Sequence, residues 1–424
     1  MIQRFKPKSE FSRNVLTLMT GTTIAQAIPI AISPILTRIY TPEDFGVLAL
    51  YISLVSIFSV IATLRYELAI MQPRQNDDAA ALVVLSVVIT SGISLFLLVG
   101  ILVFNEKIQA LFGNDEIGAW LFLCPVSVFL TGLYQALNYW NTRKKQYKKI
   151  ASSKISQGVS ASATQVGFGG GGIAGGLLWG YLLGQVAALL ILLPSLLKEN
   201  KSFFVSVTTQ RIIDNARIYK NYPKYSTLGA FADSSSLQMP ILILSKFYDL
   251  GVTGMFSLTF KVLNLPMALV SKSLSQVLFQ KITHLHHDVN SSQQAYRIVI
   301  KLFFMLLAMM VPFVVFIGLF GEGLFAYVFG EPWREAGSLA AILVVAVAIR
   351  FAVSPLSSVL AMDHNIKLGV LWQFIYLFTI TATLYLFSSE DIKVFVVAFV
   401  AHEIILYLLY LAFIVKGAKY VGKV

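Results

Sequence analysis

The stretch that decides the fold runs from Pro34 to Tyr51 and reads PILTRIYTPEDFGVLALY. It joins two long apolar segments. Between them, Thr41 can cap the next helix and Pro42 suits its first turn. Glu43 and Asp44 follow at the helix start, where the helix dipole favours negative charge. Arg38 and Tyr40 suit the headgroup layer of a bilayer. The stretch therefore predicts a helical hairpin that turns at a membrane surface, with Arg38 either an interfacial anchor or a substrate contact.

The same pattern returns in weaker form 208 residues later. Leu36–Tyr40 aligns without a gap with Leu244–Tyr248, and Gly46 aligns with Gly254. In both places an apolar helix ends, a basic residue and a tyrosine follow, and a glycine lies at the start of the next helix. Such a match indicates two similar halves and, in a membrane chain, a transporter built from repeats. We therefore expect two transmembrane domains, 1–200 and 201–424.

The composition is that of a membrane protein. Hydrophobic residues make up 57% of the chain and charged residues 13%, and the mean hydropathy is +0.74, whereas soluble domains are about 25% charged. Segments of about 20 apolar residues can cross a bilayer. They predict an all-α polytopic chain with twelve spans, at roughly 15–36, 45–64, 80–104, 117–138, 152–171, 173–197, 222–245, 250–278, 296–320, 337–361, 366–387 and 392–415.

The basic residues predict the orientation of these spans. With the amino terminus inside, 25 of the 33 lysines and arginines fall on the cytoplasmic side, five on the opposite side and three within spans. Both termini are then cytoplasmic, and the segment from Met1 to Arg13 lacks the features of a signal peptide. The net charge of +12 is a topology and anionic-lipid signal, so we expect no nucleic-acid partner.

Several motifs are interpreted as structural. The single cysteine, Cys124, lies in an apolar run and predicts neither a disulfide framework nor a cysteine-based metal site. The glycine run Gly167–Gly172 has no following Lys-Ser/Thr, which argues against a phosphate loop. Glycines spaced by four in the sixth span predict close helix packing: Gly176, Gly180 and Gly184. The cluster from His284 to Asp288 matches no standard metal spacing, so we expect neither a metal nor a cofactor.

Ionisable side chains near the middle of spans carry the functional prediction. A charge at the bilayer centre costs roughly 2.5–3.5 kcal/mol and therefore normally faces protein or water. The residues concerned are Asp233 in the seventh span, Lys261 in the eighth, Arg350 in the tenth, and His402 and Glu403 in the twelfth. Lys272 can snorkel to the cytoplasmic surface, and Arg65 and Glu67 fit an interfacial position.

Lys261 lies on a small and polar face of the eighth span. Steps of three and four connect Gly254, Ser257, Lys261, Asn264, Ala268, Ser271 and Ser275. A similar face of the seventh span carries Ser226, Gly229, Asp233, Ser236 and Pro240. These faces predict a hydrated cavity whose substrate-binding residues are Lys261, Arg350, Asp233, Asn264 and Ser257. The alternative is a buried ion pair that fixes helix packing, with Asp233 or Glu403 as the acid.

Cations in such a cavity suit a phosphate-bearing substrate. A carboxylate in a low-dielectric cavity can take up a proton. Asp233 and Glu403 are therefore the candidates for coupling transport to an ion gradient. The candidate residues of the hairpin loop are Arg38, Tyr40, Pro42 and Gly46.

The motifs resemble those of a known family over nearly the whole chain. Pro34–Gly46 resembles the first-loop signature of oligosaccharide flippases, the O-antigen and capsule repeat-unit translocases of the polysaccharide biosynthesis protein family. Other similar segments follow in the family's order: Arg65–Ile70, Leu137–Trp140 with Arg143–Lys145, Gly176–Gln185, Leu263–Pro266 and Phe329–Gly337.

The resemblance implies two pseudo-symmetric six-helix bundles around a central cavity, related to multidrug extruders and lipid II flippases. It implies movement of undecaprenyl-pyrophosphate-linked oligosaccharide from the cytoplasmic to the periplasmic leaflet of a bacterial inner membrane by alternating access. Expected partners are a polysaccharide polymerase and a chain-length regulator of lipopolysaccharide or exopolysaccharide assembly. The alternative on the same fold is an organic-cation exporter, which favours an acidic cavity. A membrane enzyme needs a larger outer loop, so we expect a non-enzyme.

Overall fold

The computed structural model describes residues 10–112, 117–196, 200–265, 271, 274, 275, 278, 291–361 and 366–418. The cluster at 284–288, Ala268 and Lys272 lie outside these residues. The helices of the first half are α1 (Glu10–Ile39), α2 (Pro42–Ile61), α3 (Tyr66–Ala69), α4 (Asn76–Phe112), α5 (Gly118–Leu121), α6 (Cys124–Arg143), α7 (Tyr147–Gly170), α8 (Gly176–Pro194), α9 (Lys201–Val205) and α10 (Thr209–Ile218).

The second half is also built of helices joined by short connections in its described residues. It begins with a π-helical turn, Tyr222–Ser226, that leads into α11 (Thr227–Phe247). The helices that follow are α12 (Leu250–Leu263), α13 (Ser291–Phe329), α14 (Arg334–Val353), α15 (Ile366–Leu386) and α16 (Ile392–Ala418), with 3-10 turns at Glu331–Trp333 and Ser354–Ala361.

A helix lies at each of the twelve predicted spans, and the chain is an all-α polytopic membrane protein. Within the described ranges, eight helical segments are long and apolar enough to cross a membrane, and two shorter apolar helices, Leu250–Leu263 and Leu371–Leu386, accompany them. The predicted fifth span is α7, which is rich in serine, alanine and glycine and is not among the eight. The eighth span continues beyond α12 into residues that are only partly described.

The internal contacts divide the chain into two compact units, Met1–Ser234 and Ser235–Val424, with the division inside α11. In the first unit α7 packs along α1 and α8, and α6 packs against α2, α4 and α8. In the second unit α14 packs against α12, α13 and α16, and α15 packs against α16. The sequence-based domain boundary at residue 200 remains a prediction.

The hairpin between α1 and α2 has the predicted helix start. Thr41 is the N-cap, Pro42 occupies the first turn, and a capping box joins Thr41 to Asp44. The Tyr40 hydroxyl donates to the Gln165 carbonyl oxygen in α7 at 2.7 Å. A Cβ on Gly176, at the start of α8, would lie 2.1 Å from the Tyr40 hydroxyl oxygen. Tyr40 therefore forms an intramolecular tie, a side-chain hydrogen bond that connects the first hairpin to the α7–α8 pair. The absence of a side chain at Gly176 leaves room for the Tyr40 hydroxyl group.

The second unit contains the counterpart of this tie. Asp249 caps α12, with its Oδ1 accepting from the Val252 N–H at 2.7 Å. The Tyr248 hydroxyl donates to the Glu390 carbonyl oxygen at 2.8 Å, in the connection between α15 and α16. Tyr40 and Tyr248 thus occupy equivalent positions in sequence, and each connects a helical hairpin to a later helix pair of the same unit.

Glu67 is buried within the protein, with 1% of its surface exposed, and its interfacial position in the membrane remains a prediction. Leu64 and Arg65 adopt left-handed φ angles of 47° and 63° between α2 and α3, which turns the chain back towards the unit. The Thr63 hydroxyl donates to the carboxylate, and Arg65 Nη1 lies 3.5 Å from Glu67 Oε1. These partners explain how a carboxylate is accommodated there.

Candidate functional site

The polar face of α12 lines a cavity of about 640 Å³ whose described lining belongs entirely to the second unit. Five of the predicted face residues are in this lining: Ser257, Lys261, Asn264, Ser271 and Ser275. The remaining walls come from α11, α12, α14 and the 3-10 turn after α14: Leu237, Gln238, Pro240, Ile241, Phe256, Phe260, Arg350 and Ser354. The cavity thus combines an apolar wall with a polar, cationic one.

Lys261 is the exposed cation of this cavity. Its side chain is exposed although it projects from an apolar helix, because it faces the cavity. No ion-pair partner for its ammonium group occurs in the described part of the chain. Lys261 therefore presents an uncompensated positive charge to the cavity.

Two further polar atoms of the lining have no hydrogen-bond partner among the residues that the structure describes. They are Asn264 Oδ1 and Ser271 Oγ, both buried. The other end of the Asn264 amide is fixed, because its Nδ2 donates to the Phe260 carbonyl oxygen at 2.6 Å. Buried polar groups normally have partners in protein or water, so these two atoms mark a place where a polar ligand or water completes the hydrogen bonding.

Arg350 differs from Lys261 because it is part of a buried ion pair. Only 5% of its surface is exposed, and its Nε lies 3.2 Å from Glu403 Oε2. The same Nε donates to the Tyr407 hydroxyl at 3.1 Å. The guanidinium carbon lies 5.3 Å from the centre of the Phe260 ring and 5.5 Å from that of Tyr407, which are cation–π distances.

Glu403 is fully buried, with 0% of its surface exposed. The Tyr376 hydroxyl donates to its Oε1, and His402 Nδ1 lies 3.6 Å from the same oxygen. His402 Nε2 is 3.0 Å from the Thr379 hydroxyl. Residues of α14, α15 and α16 therefore form one polar network behind the cavity wall.

Sequence reasoning named Arg350, His402 and Glu403 but missed Tyr376 and Tyr407. The signal for Tyr407 was its position four residues after Glu403, which places both on one face of a helix. Nothing in the sequence marked Tyr376, which enters the network because α15 packs against α16. The alternative hypothesis of a buried ion pair thus applies to Arg350, which pairs with Glu403. It does not apply to Lys261.

Asp233, which the sequence predicted as a cavity residue, belongs to the first unit. Its side chain is exposed, and it is absent from the described cavity lining. The predicted face of α11 is rotated, since Leu237, Gln238 and Ile241 line the cavity together with Pro240. A substrate or ion-coupling role for Asp233 remains a prediction.

The residues of the hairpin loop are also absent from the described cavity lining. Arg38 is exposed and donates from Nη1 to the Pro34 carbonyl oxygen at 2.5 Å. Tyr40, Pro42 and Gly46 are buried in the packing of the first unit. In the described residues, no group of three or more histidine, cysteine or acidic side chains is arranged to hold a metal ion.

The chain belongs to the polysaccharide biosynthesis protein family, whose model matches residues 35–338. It is similar to the succinoglycan biosynthesis transport protein ExoT of Rhizobium meliloti (strain 1021), with 23% identity over 327 residues. That match covers 74% of this chain and 62% of ExoT, so the similarity extends over less than two thirds of the relative's length.

Solved structures of transporters share the fold. The lipid II flippase MurJ in an inward closed conformation superposes with a TM-score of 0.76 at 15% identity, covering 96% of this chain and 90% of that one. An inward-facing multidrug resistance MATE transporter of the MOP superfamily gives 0.68 at 15% identity, with 96% of both chains covered. A MOP superfamily transporter from Pyrococcus furiosus, described by the reverse polarity of its binding pocket, superposes with a TM-score of 0.60 at 11% identity. That superposition covers 97% of this chain and 96% of the transporter. These relatives are transporters and flippases rather than enzymes, as the sequence predicted for this chain.

Proposed function

We propose that this protein is a flippase that moves undecaprenyl-pyrophosphate-linked oligosaccharide from the cytoplasmic to the periplasmic leaflet by alternating access. The observation that carries the proposal is Lys261, an uncompensated cation exposed to a cavity of about 640 Å³ in the second unit. Membership of the polysaccharide biosynthesis family supports sugar-linked cargo. The flippase and transporter folds support movement across a membrane.

The chemistry of the lining fits the head of a lipid-linked sugar. Lys261 provides a point charge for a phosphate group, and the unpartnered atoms of Asn264 and Ser271 provide hydrogen-bonding capacity for hydroxyl groups. Leu237, Pro240 and Ile241 supply the apolar wall. An organic cation would meet a positive charge here, so the described cavity favours an anionic substrate over the multidrug-exporter alternative.

The remaining parts of the proposal concern the cellular setting. The protein lies in a bacterial inner membrane with both termini cytoplasmic, where the polysaccharide repeat unit is delivered to a polymerase and its chain-length regulator. Transport is coupled to an ion gradient through Asp233 or Glu403. Unchanged pH dependence of transport in Asp233→Asn and Glu403→Gln would count against this coupling.

The test is translocation of undecaprenyl-pyrophosphate-linked oligosaccharide by the full-length protein in proteoliposomes. We expect transport by the native protein and its loss in Lys261→Ala and Lys261→Gln. Lys301→Gln is the matched control, because Lys301 is also exposed but is absent from the described lining. Proton-driven efflux of an organic cation without lipid-linked sugar transport would place the chain among the multidrug exporters instead.

A further inference from the structure

We infer that Glu403 sets the charge of the substrate cavity: it neutralises Arg350 in an internal ion pair and leaves Lys261 as the group that binds the anion. This inference rests on the proposed function, since it assigns separate roles to the two cations of the same cavity.

The guanidinium group of Arg350 already has partners within the protein. Its Nε faces Glu403 at 3.2 Å and Tyr407 at 3.1 Å. Its planar group lies near the rings of Phe260 and Tyr407. An anion that bound Arg350 would have to compete with a carboxylate held in place by Tyr376, so Arg350 acts as a wall of the cavity.

Lys261 differs from Arg350 both in its exposure and in its lack of an ion-pair partner among the described residues. It follows Phe260 directly in α12, so the ring beside Arg350 and the free ammonium group belong to consecutive residues. Lys261 is exposed to the cavity, whereas Arg350 and Glu403 are 5% and 0% exposed. The ionisable side chains of the described lining are Lys261 and Arg350. With Glu403 ionised, the three groups therefore leave one uncompensated positive charge.

A single net charge suits a carrier, which must release what it binds. Conduction and transport require binding that is strong enough for entry and weak enough for exit. Without the Glu403 carboxylate, the cavity would present two positive charges to a pyrophosphate group. A unit charge roughly 10 Å from an anion changes its affinity by about tenfold at an effective dielectric constant near 20.

The experiment compares three variants of the full-length protein in nanodiscs and proteoliposomes. Binding of undecaprenyl pyrophosphate is measured by calorimetry, with inorganic pyrophosphate as a probe of the headgroup alone. Glu403→Gln should bind undecaprenyl pyrophosphate about tenfold more tightly, because one charge is added, and should translocate lipid-linked oligosaccharide more slowly. Lys261→Gln should lose binding.

The deciding variant is the double substitution Arg350→Met with Glu403→Gln. It removes both charges of the pair, keeps an oxygen that accepts from Tyr376, and is expected to retain native affinity for undecaprenyl pyrophosphate. Replacing a buried ion pair by uncharged groups of similar volume is often tolerated. If Glu403→Gln alone fails to fold, the double variant still decides between the two roles of Arg350.

Two results would overturn the inference while leaving the proposed function intact. A double variant that folds but binds as poorly as Lys261→Gln would make Arg350 a direct ligand of the anion. Unchanged affinity in Glu403→Gln, together with loss of the pH dependence of transport, would make Glu403 an ion-coupling group. A native protein that neither binds undecaprenyl pyrophosphate nor moves the lipid-linked sugar would overturn both proposals.

Discussion

Lys261 and Arg350 both line the cavity, yet among the described residues only Arg350 has a carboxylate beside it. The sequence identified both as cations within spans, because each interrupts an apolar helix. It left open which of them is paired, because Arg350 and Glu403 are 53 residues apart in the chain and pairing depends on how α14 meets α16. Residue type and depth thus indicated two cations that line one cavity, whereas only tertiary packing distinguished the unpaired lysine from the paired arginine.

Glu67 gives a prediction for pH dependence outside the spans. Burial raises the pKa of Glu67 above its ordinary value of 4.5, against weaker opposing effects of the Thr63 hydrogen bond and the Arg65 charge. The folded protein therefore binds this proton more tightly than the unfolded chain does. The resulting contribution to stability is complete below pH 4.5 and is lost as the pH rises through the raised pKa.

We therefore expect Glu67→Gln, which resembles the protonated acid, to flatten the dependence of unfolding free energy on pH above 4.5. The measurement is unfolding of the purified protein in detergent from acidic to neutral pH. Glu43→Gln controls for loss of an acidic group, since Glu43 is exposed in the first turn of α2. A native and a Glu67→Gln profile that run parallel would contradict the prediction.

Tyr40 allows a test of the intramolecular tie in the first unit. Tyr40→Phe keeps the ring between α7 and α8 but removes the hydroxyl that donates to Gln165. Because the Gln165 carbonyl oxygen lies within α7, the loss of this additional hydrogen bond should lower the unfolding free energy by about 0.5–1.5 kcal/mol. Tyr327→Phe is the control, because 84% of Tyr327 is exposed. Equal stability of the two variants would show that the Tyr40 hydroxyl does not stabilise the unit.

Among the helices, the α7–α8 pair depends on the glycines that the sequence assigned to packing. A Cβ on Gly180 would lie 2.3 Å from Gln165 Cγ and 2.7 Å from the Ala161 carbonyl oxygen. A Cβ on Gly184 would lie 2.9 Å from both Ala161 Cβ and the Gln157 carbonyl oxygen. Real Cβ contacts are longer than this, so larger residues would force the two helices apart.

We expect Gly180→Leu to destabilise the protein by about 1–3 kcal/mol or more, as overpacking does. The measurement is thermal unfolding in detergent together with the amount of monodisperse protein. Gly167→Leu in α7 is the matched control, because no heavy atom lies within 4 Å of an added Cβ there. Comparable losses in both variants would indicate that helix propensity or insertion, rather than close packing, controls the outcome.

The elements that hydropathy predicted well are those with a continuous apolar run, from α2 to α16. The short helices α3, α9 and α10 were missed. α3 and α9 have too few residues to show a period, and α10 is amphipathic but too polar to form an apolar run. The left-handed turn at Leu64 and Arg65 was missed for another reason. Neither residue type favours a positive φ, so the turn depends on the packing and hydrogen bonds around Glu67.

At the scale of the whole molecule, the distribution of lysine and arginine predicts a membrane orientation that can be tested directly. In a Cys124→Ser background, Lys220→Cys should be labelled by a membrane-impermeant thiol reagent only after cells are permeabilised. Ser389→Cys should be labelled in intact cells with a permeable outer membrane. Both positions are exposed, so reversed accessibility would mean that the positive-inside asymmetry had been assigned to the wrong side.

The two tyrosine ties also fix an order of events during synthesis. Tyr40 and Gln165 are 125 residues apart, and Tyr248 and Glu390 are 142 residues apart. At roughly 5–20 residues per second, α1 and α2 reach the bilayer roughly 6–25 s before the carbonyl oxygen that Tyr40 needs has been made. In each half the tyrosine therefore cannot form its hydrogen bond until a later helix pair has left the ribosome.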